Sequence, residues 1–179
     1  YMKDIELFLT RLQGLDVMVV GDLILDEYLW CQVHRISPEA PVPVCRIQES
    51  SYRLGGAANV GCNIQSLGGV PHLVGCLGND VGGDHLVSLL QESDILADAI
   101  TRSDSRLTTQ KSRVIAKQHH VVRLDREEQG AVTSDIELDM MRSLSEYESR
   151  VKSIVISDYG KGVVTPTFAK DMIDRKSVV

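Results

Sequence analysis

Apolar residues recur along this chain in two rhythms. Val17-Met18-Val19-Val20 and Ile154-Val155-Ile156 are short unbroken apolar runs, the pattern of strands covered on both faces. Other segments repeat their apolar positions every three or four residues, as helices with one buried face do. Residues 3–13, with Ile5, Leu7, Phe8, Leu9 and Leu12, predict a short amphipathic helix, and 17–21 predicts the first strand. Residues 27–52 are rich in Val and poorly helical, and Pro38, Pro41 and Pro43 confine them to edge strands and extended turns, so they predict strands of a small separate sheet. A helix over 57–67, a strand from Val70 to Leu77 and a loop over 78–83 follow. Residues 84–92 predict a helix with Leu86, Val87, Leu89 and Leu90 facing inward, and 94–100 a loop and short strand. Leu107–Lys117 and Val121–Asp125 predict a hairpin with Gln118-His119-His120 at its turn. Residues 134–148 predict a charged helix capped by Ser134, with Glu137 three residues on. A strand over 153–157 and a helix over 166–176 complete the pattern, which is that of an α/β chain: a mostly parallel, helix-flanked sheet with β-rich insertions.

Three segments of this pattern carry candidate chemistry. The first strand runs into Gly21-Asp22-Leu23-Ile24-Leu25-Asp26, and carboxylates just past a buried strand are how open α/β sheets present ligand groups. Asp26 can accept two sugar hydroxyls or cap a turn, and Asp22 can satisfy backbone donors after Gly21. Gly55-Gly56-Ala57-Ala58-Asn59 opens a helix. Its small residues allow close approach to the backbone, and the helix start offers free N–H groups to an anionic or hydroxyl-rich ligand. Asn59 donates and accepts at once, for a ligand or as a helix cap. Ser157-Asp158-Tyr159-Gly160-Lys161-Gly162 follows the later strand, placing Asp158 and Lys161 at the same sheet edge. On the hairpin, alternation puts Thr109, Lys111 and Arg113 on one face. With Arg123, Lys111 and Arg113 form either a phosphate grip or a solvated face that discourages edge pairing. His34, His72 and His85 have no triad-like company and receive no catalytic role.

Composition narrows the classes. The 179 residues fit one domain, and 43% hydrophobic residues with only 4% aromatics predict a core of Val, Leu, Ile and Ala. A net charge of −6 argues against a general nucleic-acid binder. Cys31, Cys45, Cys62 and Cys76 form no C-x-x-C pair, so no metal site is expected and free thiols in a reducing cytoplasm are. No signal-peptide pattern or membrane-length apolar run is present, and no G-x-G-x-x-G follows the first strand, against a dinucleotide-binding domain.

These segments, in this order and with Arg35-Ile36-Ser37-Pro38-Glu39-Ala40-Pro41-Val42-Pro43-Val44 between them, resemble the ribokinase-like (PfkB) family of sugar kinases. The resemblance runs from about Val17 to the C-terminus. The Gly-Gly-Ala-Ala-Asn segment is the family's, and the Arg35–Val44 and Ser157–Gly162 segments are most similar to its heptose 7-phosphate kinase branch. The resemblance implies a ribokinase-like fold whose small β-sheet lid, within 27–52 and 107–125, covers the sugar and pairs with a second subunit's lid. It implies Asp26, Gly55, Gly56 and Asn59 as sugar ligands, with Asp158 and Lys161 facing the reacting end and Lys161 near the transferring phosphoryl group. ATP and Mg²⁺ are the implied cofactors, and a small sugar phosphate the implied partner.

The family's Gly-Ala-Gly-Asp motif, which holds the catalytic base and an anion hole, and its Asn-x-x-Glu segment do not occur in this sequence. The resemblance therefore implies a catalytic base C-terminal to Val179 and none within the chain. The expectation is an N-terminal, acceptor-binding portion of a sugar kinase over 1–179, inactive alone. Two other readings stay open: a PfkB kinase for another sugar or a nucleoside, and a non-catalytic sugar-binding or dimerisation module.

Overall fold

The computed structural model describes residues 2–117 and 119–176. Helix α1 (Met2–Leu12) leads into β1 (Asp16–Gly21), then β2 (Leu23–Ile36), β3 (Pro43–Gly56), α2 (Ala57–Ser66), β4 (Val70–Gly78), α3 (Val81–Glu92) and β5 (Ile100–Ser103). β6 (Thr109–Ala116), β7 (His119–Arg126), α4 (Ser134–Tyr147), β8 (Ser153–Ser157) and α5 (Pro166–Lys176) complete the order. The strands form two four-stranded sheets, β5-β4-β1-β8 and β3-β2-β6-β7.

The first sheet is parallel throughout, with Val19 opposite Leu73 on one side and Val155 on the other. Successive side chains of a strand point to opposite faces, and β1 shows the consequence. Val19 joins Leu73, Leu77, Ala57, Ala58, Leu86 and Leu90, the cluster of α2 and α3. Met18 and Val20 join Met140, Leu144, Phe168 and Met172, the cluster of α4 and α5. Both faces are covered, so β1 needs apolar residues at every position and reads as an unbroken run. Cys31 and Cys76 are buried and all four cysteines are free; burial pushes the Cys76 thiol up to about 11. No helix among the described residues is long and apolar enough to cross a membrane.

The second sheet grows out of the first through one residue. The chain leaves β1 at Gly21, passes Asp22 and enters the 14-residue β2, which pairs antiparallel with β3 and parallel with β6. β3 returns to Gly56, and α2 starts at the next residue, its first N–H donating to the Asp22 carbonyl at 2.9 Å. The strands expected within 27–52 and 107–125 are these, lengthened at the base to meet the first sheet. Pro43 opens β3, where its missing N–H costs least, while Pro38 and Pro41 lie in the connection.

Several local expectations change. Asp26 lies inside β2, not in a loop past β1. α3 begins at Val81, three residues early, because the Asp80 side chain caps it by accepting from Gly83 N at 2.8 Å. The Gly82-Gly83 pair reads as loop, but a Cβ on Gly83 would sit 2.4 Å from the Gly78 carbonyl oxygen, so close packing selects that glycine. Ser134 is the first residue of α4; the cap position is Thr133, with no side-chain cap bond. His119 and His120 are strand residues of β7, and Gln118 lies outside the described residues.

Candidate functional site

The crossing between the sheets organises the first part of the site. Asp22 is 1% exposed, and its carboxylate accepts from backbone N–H groups of the loop after β8: Tyr159 at 2.7 Å, Lys161 at 3.1 Å and Val163 at 3.4 Å. β1 and β8 are neighbours, so one carboxylate at the end of β1 holds the whole loop at the sheet's carboxyl edge. Asp22 does satisfy backbone donors, but in a segment almost 140 positions away rather than in its own turn. Arg106 ties the same loop from the other side, donating to the carbonyl oxygens of Lys161 and Gly130. Within the loop, Asp158 Oδ1 accepts from Gly160 N at 2.8 Å. Lys161 pairs with Glu127, Nζ lying 2.9 Å from Oε1 and 2.8 Å from Oε2, and not with Asp158. Asp158, Gly160 and Gly162 line a pocket of about 250 Å³ that Thr165 and Pro166 close at the start of α5.

Asp26 organises the second part. Cross-strand partners share a face, so register puts Asp26 and Tyr28 of β2 with Arg53 of β3, Lys111 and Arg113 of β6, and Arg123 and Asp125 of β7 on one face of the second sheet. Arg113 Nη1 donates to Asp26 Oδ1 at 2.6 Å, with side chains only 22% and 19% exposed. That bond holds the guanidinium above its ordinary pKa. Asp26 Oδ2 fills the space a side chain at Gly55 would need: a Cβ there would lie 2.4 Å from it. Gly56 has φ +56°, and a Cβ on it would lie 2.2 Å from the Asp22 carbonyl oxygen. Each glycine thus makes room for one of the two aspartates.

The remaining expected residues divide. Arg123 forms two bonds to Asp125, at 2.8 and 3.0 Å, and Lys111 stands opposite both Asp26 and Asp125 without an ion pair among the described residues. Asn59 is exposed in the first turn of α2, and α2 has no side-chain cap. It borders a different pocket, about 310 Å³, with Tyr52, Arg53 and Glu92, which Asp26 does not line. Sequence reasoning missed Arg53, Tyr28, Glu127 and Arg106. Arg53 and Tyr28 become visible only once β2 and β3 are in register, and Glu127 and Arg106 have no local signal. The base expected C-terminal to Val179 lies beyond the described residues, which end at Lys176. Among the described residues no three His, Cys, Asp or Glu side chains gather into a candidate metal cluster.

The open parallel sheet thus ends in Asp22 and Asp158 at its carboxyl edge, and the second sheet continues from it with Asp26 on a basic face. The chain belongs to the pfkB family of carbohydrate kinases, whose profile matches residues 15–164. It is 39% identical over 157 residues to the bifunctional protein HldE of Helicobacter pylori strain Shi470, covering 88% of this chain and 34% of that protein. With the bifunctional protein HldE of Sulfurimonas denitrificans it shares 39% identity over 177 residues, 98% of this chain and 36% of that one. The chain thus spans about a third of the length of these curated relatives. Escherichia coli phosphofructokinase-2, solved in complex with fructose-6-phosphate, superposes with TM-score 0.66 at 21% identity, over 92% of this chain and 52% of that one. The fold is that of the superposed part of this phosphofructokinase.

Proposed function

We propose that this chain is the acceptor-binding portion of a kinase that moves the γ-phosphate of ATP, with Mg²⁺, to the anomeric hydroxyl of D-glycero-D-manno-heptose 7-phosphate. The product is the 1,7-bisphosphate, a precursor of ADP-heptose for the lipopolysaccharide inner core. The observation that carries the reading is the likeness to the HldE proteins across 88–98% of the chain. In the transfer, the anomeric oxygen bonds to the γ-phosphorus, the bond to the β-phosphate oxygen breaks and ADP leaves. These residues bind and orient the acceptor, which is a large share of catalysis in phosphoryl transfer. Asp26 Oδ1 is held by Arg113, which leaves Oδ2 to accept from sugar hydroxyls over Gly55 and Gly56, while Asn59 contacts the sugar from the adjoining pocket it shares with Arg53. The basic face of the second sheet takes the phosphate the sugar already carries. Asp158 and Lys161 border the reacting end, on the loop fixed by Asp22.

The second sheet acts as a lid and pairs with that of a second copy in the cytoplasm. The support is its other face, where Ile47, Val122 and Leu124 share one side and are 57%, 46% and 54% exposed.

The test is an acceptor screen of the full-length kinase with ATP, following ADP release. Heptose 7-phosphate is expected to exceed fructose 6-phosphate and a nucleoside by at least about tenfold in kcat/KM, a difference of about 1.4 kcal/mol in transition-state binding. Preference for fructose 6-phosphate or a nucleoside overturns the substrate assignment.

A further inference from the structure

The chain carries a net charge of −6, yet on the Asp26 face of its second sheet the two rows level with Asp26 and Tyr28 hold four cations, Arg53, Lys111, Arg113 and Arg123, against two carboxylates, Asp26 and Asp125, with Glu49 one row further out opposite Trp30. Both carboxylates are already bonded, Asp26 to Arg113 and Asp125 to Arg123. The two cations left over are Arg53 and Lys111, and neither forms an ion pair among the described residues. They are the cross-strand partners of Asp26, one on each side of it.

Arg53 is exposed, but it is not adrift. Its Cζ lies 5.2 Å from the centroid of the Tyr28 ring, against which Arg113 also packs at 5.3 Å. Packing over an aromatic ring holds a guanidinium through its flat face and leaves its N–H donors, which lie in the plane, free to bond outward. Arg53 is therefore a placed cation with unspent donors beside a sugar-binding carboxylate. A phosphate dianion accepts such a planar fork, and a neighbouring lysine adds a point charge.

We propose that Arg53, assisted by Lys111, recognises the phosphate on the acceptor sugar, and that Arg113 is a positioning residue that holds Asp26. The inference rests on the reading that the acceptor is a phosphorylated sugar.

The test measures kcat/KM of the full-length kinase for heptose 7-phosphate and for the same heptose without phosphate, in wild type, Arg53→Gln and Arg53→Lys. Arg53→Gln is expected to lose about 10- to 100-fold on the phosphorylated sugar, the equivalent of one charge-assisted hydrogen-bonding contact. On the unphosphorylated sugar it changes by less than about threefold, as a surface substitution does. Arg53→Lys recovers part of the loss by restoring the charge. An equal fall on both sugars, or no fall on the phosphorylated one, overturns the role of Arg53. A wild type that does not prefer the phosphorylated sugar overturns instead the substrate reading, and the inference with it.

Discussion

Replacing Asp22 by Ala removes one side chain and strands three backbone donors. Asp22 is buried at 1% exposure, while Tyr159 is 55% exposed, so water recovers part of the bond freed there and less of the one at half-buried Lys161. Two of the bonds are of good length, 2.7 Å from Tyr159 and 3.1 Å from Lys161, and the third, 3.4 Å from Val163, counts for little. A hydrogen bond to a charged group contributes about 1.5–3 kcal/mol, so the pair amounts to about 3–6 kcal/mol, which solvation of the exposed Tyr159 lowers to about 3–5 kcal/mol. Removing a buried carboxylate also relieves its desolvation, which opposes the loss. The donors remain in place without an acceptor, so the loss wins. Asp22→Asn keeps one acceptor oxygen and turns an NH₂ toward a donor, and is expected to cost about half as much. Urea unfolding reads the effect directly. With a slope near 2 kcal/mol/M, the Ala variant's midpoint falls by about 1.5–2.5 M at unchanged slope. Amide exchange adds a local reading, since Tyr159 and Lys161 should lose protection before the core of β1. An Asp22→Ala protein within about 1 kcal/mol of wild type, with those amides still protected, refutes the argument that this carboxylate holds the loop.

Three further outcomes follow from single observations. Gly55→Ala puts a methyl group 2.4 Å from Asp26 Oδ2, which cannot swing away freely because Oδ1 is bonded to Arg113; acceptor affinity in a titration should fall about tenfold or more, with about 1–3 kcal/mol lost in urea unfolding. Asp80 is pushed up by burial, but the N–H groups of Thr108 and Gly83 outweigh this and hold it below its usual 3.8. Its unfolded form therefore binds the proton more readily, so its contribution is present at neutral pH and fades as pH drops below that value; Asp80→Asn should flatten the urea midpoint against pH in the acid range, and a profile parallel to wild type contradicts this. Leu124→Glu places a charge on the open apolar face of the second sheet and should shift sedimentation from dimer to monomer with the urea midpoint unchanged, whereas a variant still dimeric argues against pairing through that face.

How far the sequence reaches depends on whether a feature is local. β1 and β8 are legible because burial on both faces demands unbroken apolar runs. The helices α2 and α4 are legible from their three-to-four spacing. The start of α3 is hidden because Gly82 and Gly83 signal a loop, while Gly83 is needed for tight packing against Gly78. Asp26 is recognisable as a candidate ligand, but its bond to Arg113 joins residues 87 positions apart and depends on β2–β6 register, which no local pattern carries. For the same reason alternation along β6 correctly groups Lys111 with Arg113, yet misses Arg53 on the far side of β2. Asn59 shows the converse, a residue evident by motif that lines a pocket apart from Asp26.

The most direct test of the central claim, that this chain carries a sugar-kinase acceptor site built around Asp26, is a calorimetric titration of the chain with heptose 7-phosphate in the absence of ATP. Fructose 6-phosphate serves as the competing sugar and Asp26→Ala as the control. The account predicts saturable binding of heptose 7-phosphate, weaker binding of fructose 6-phosphate, and loss of both in Asp26→Ala. Binding that survives in Asp26→Ala, or a wild-type chain that takes up neither sugar, contradicts it.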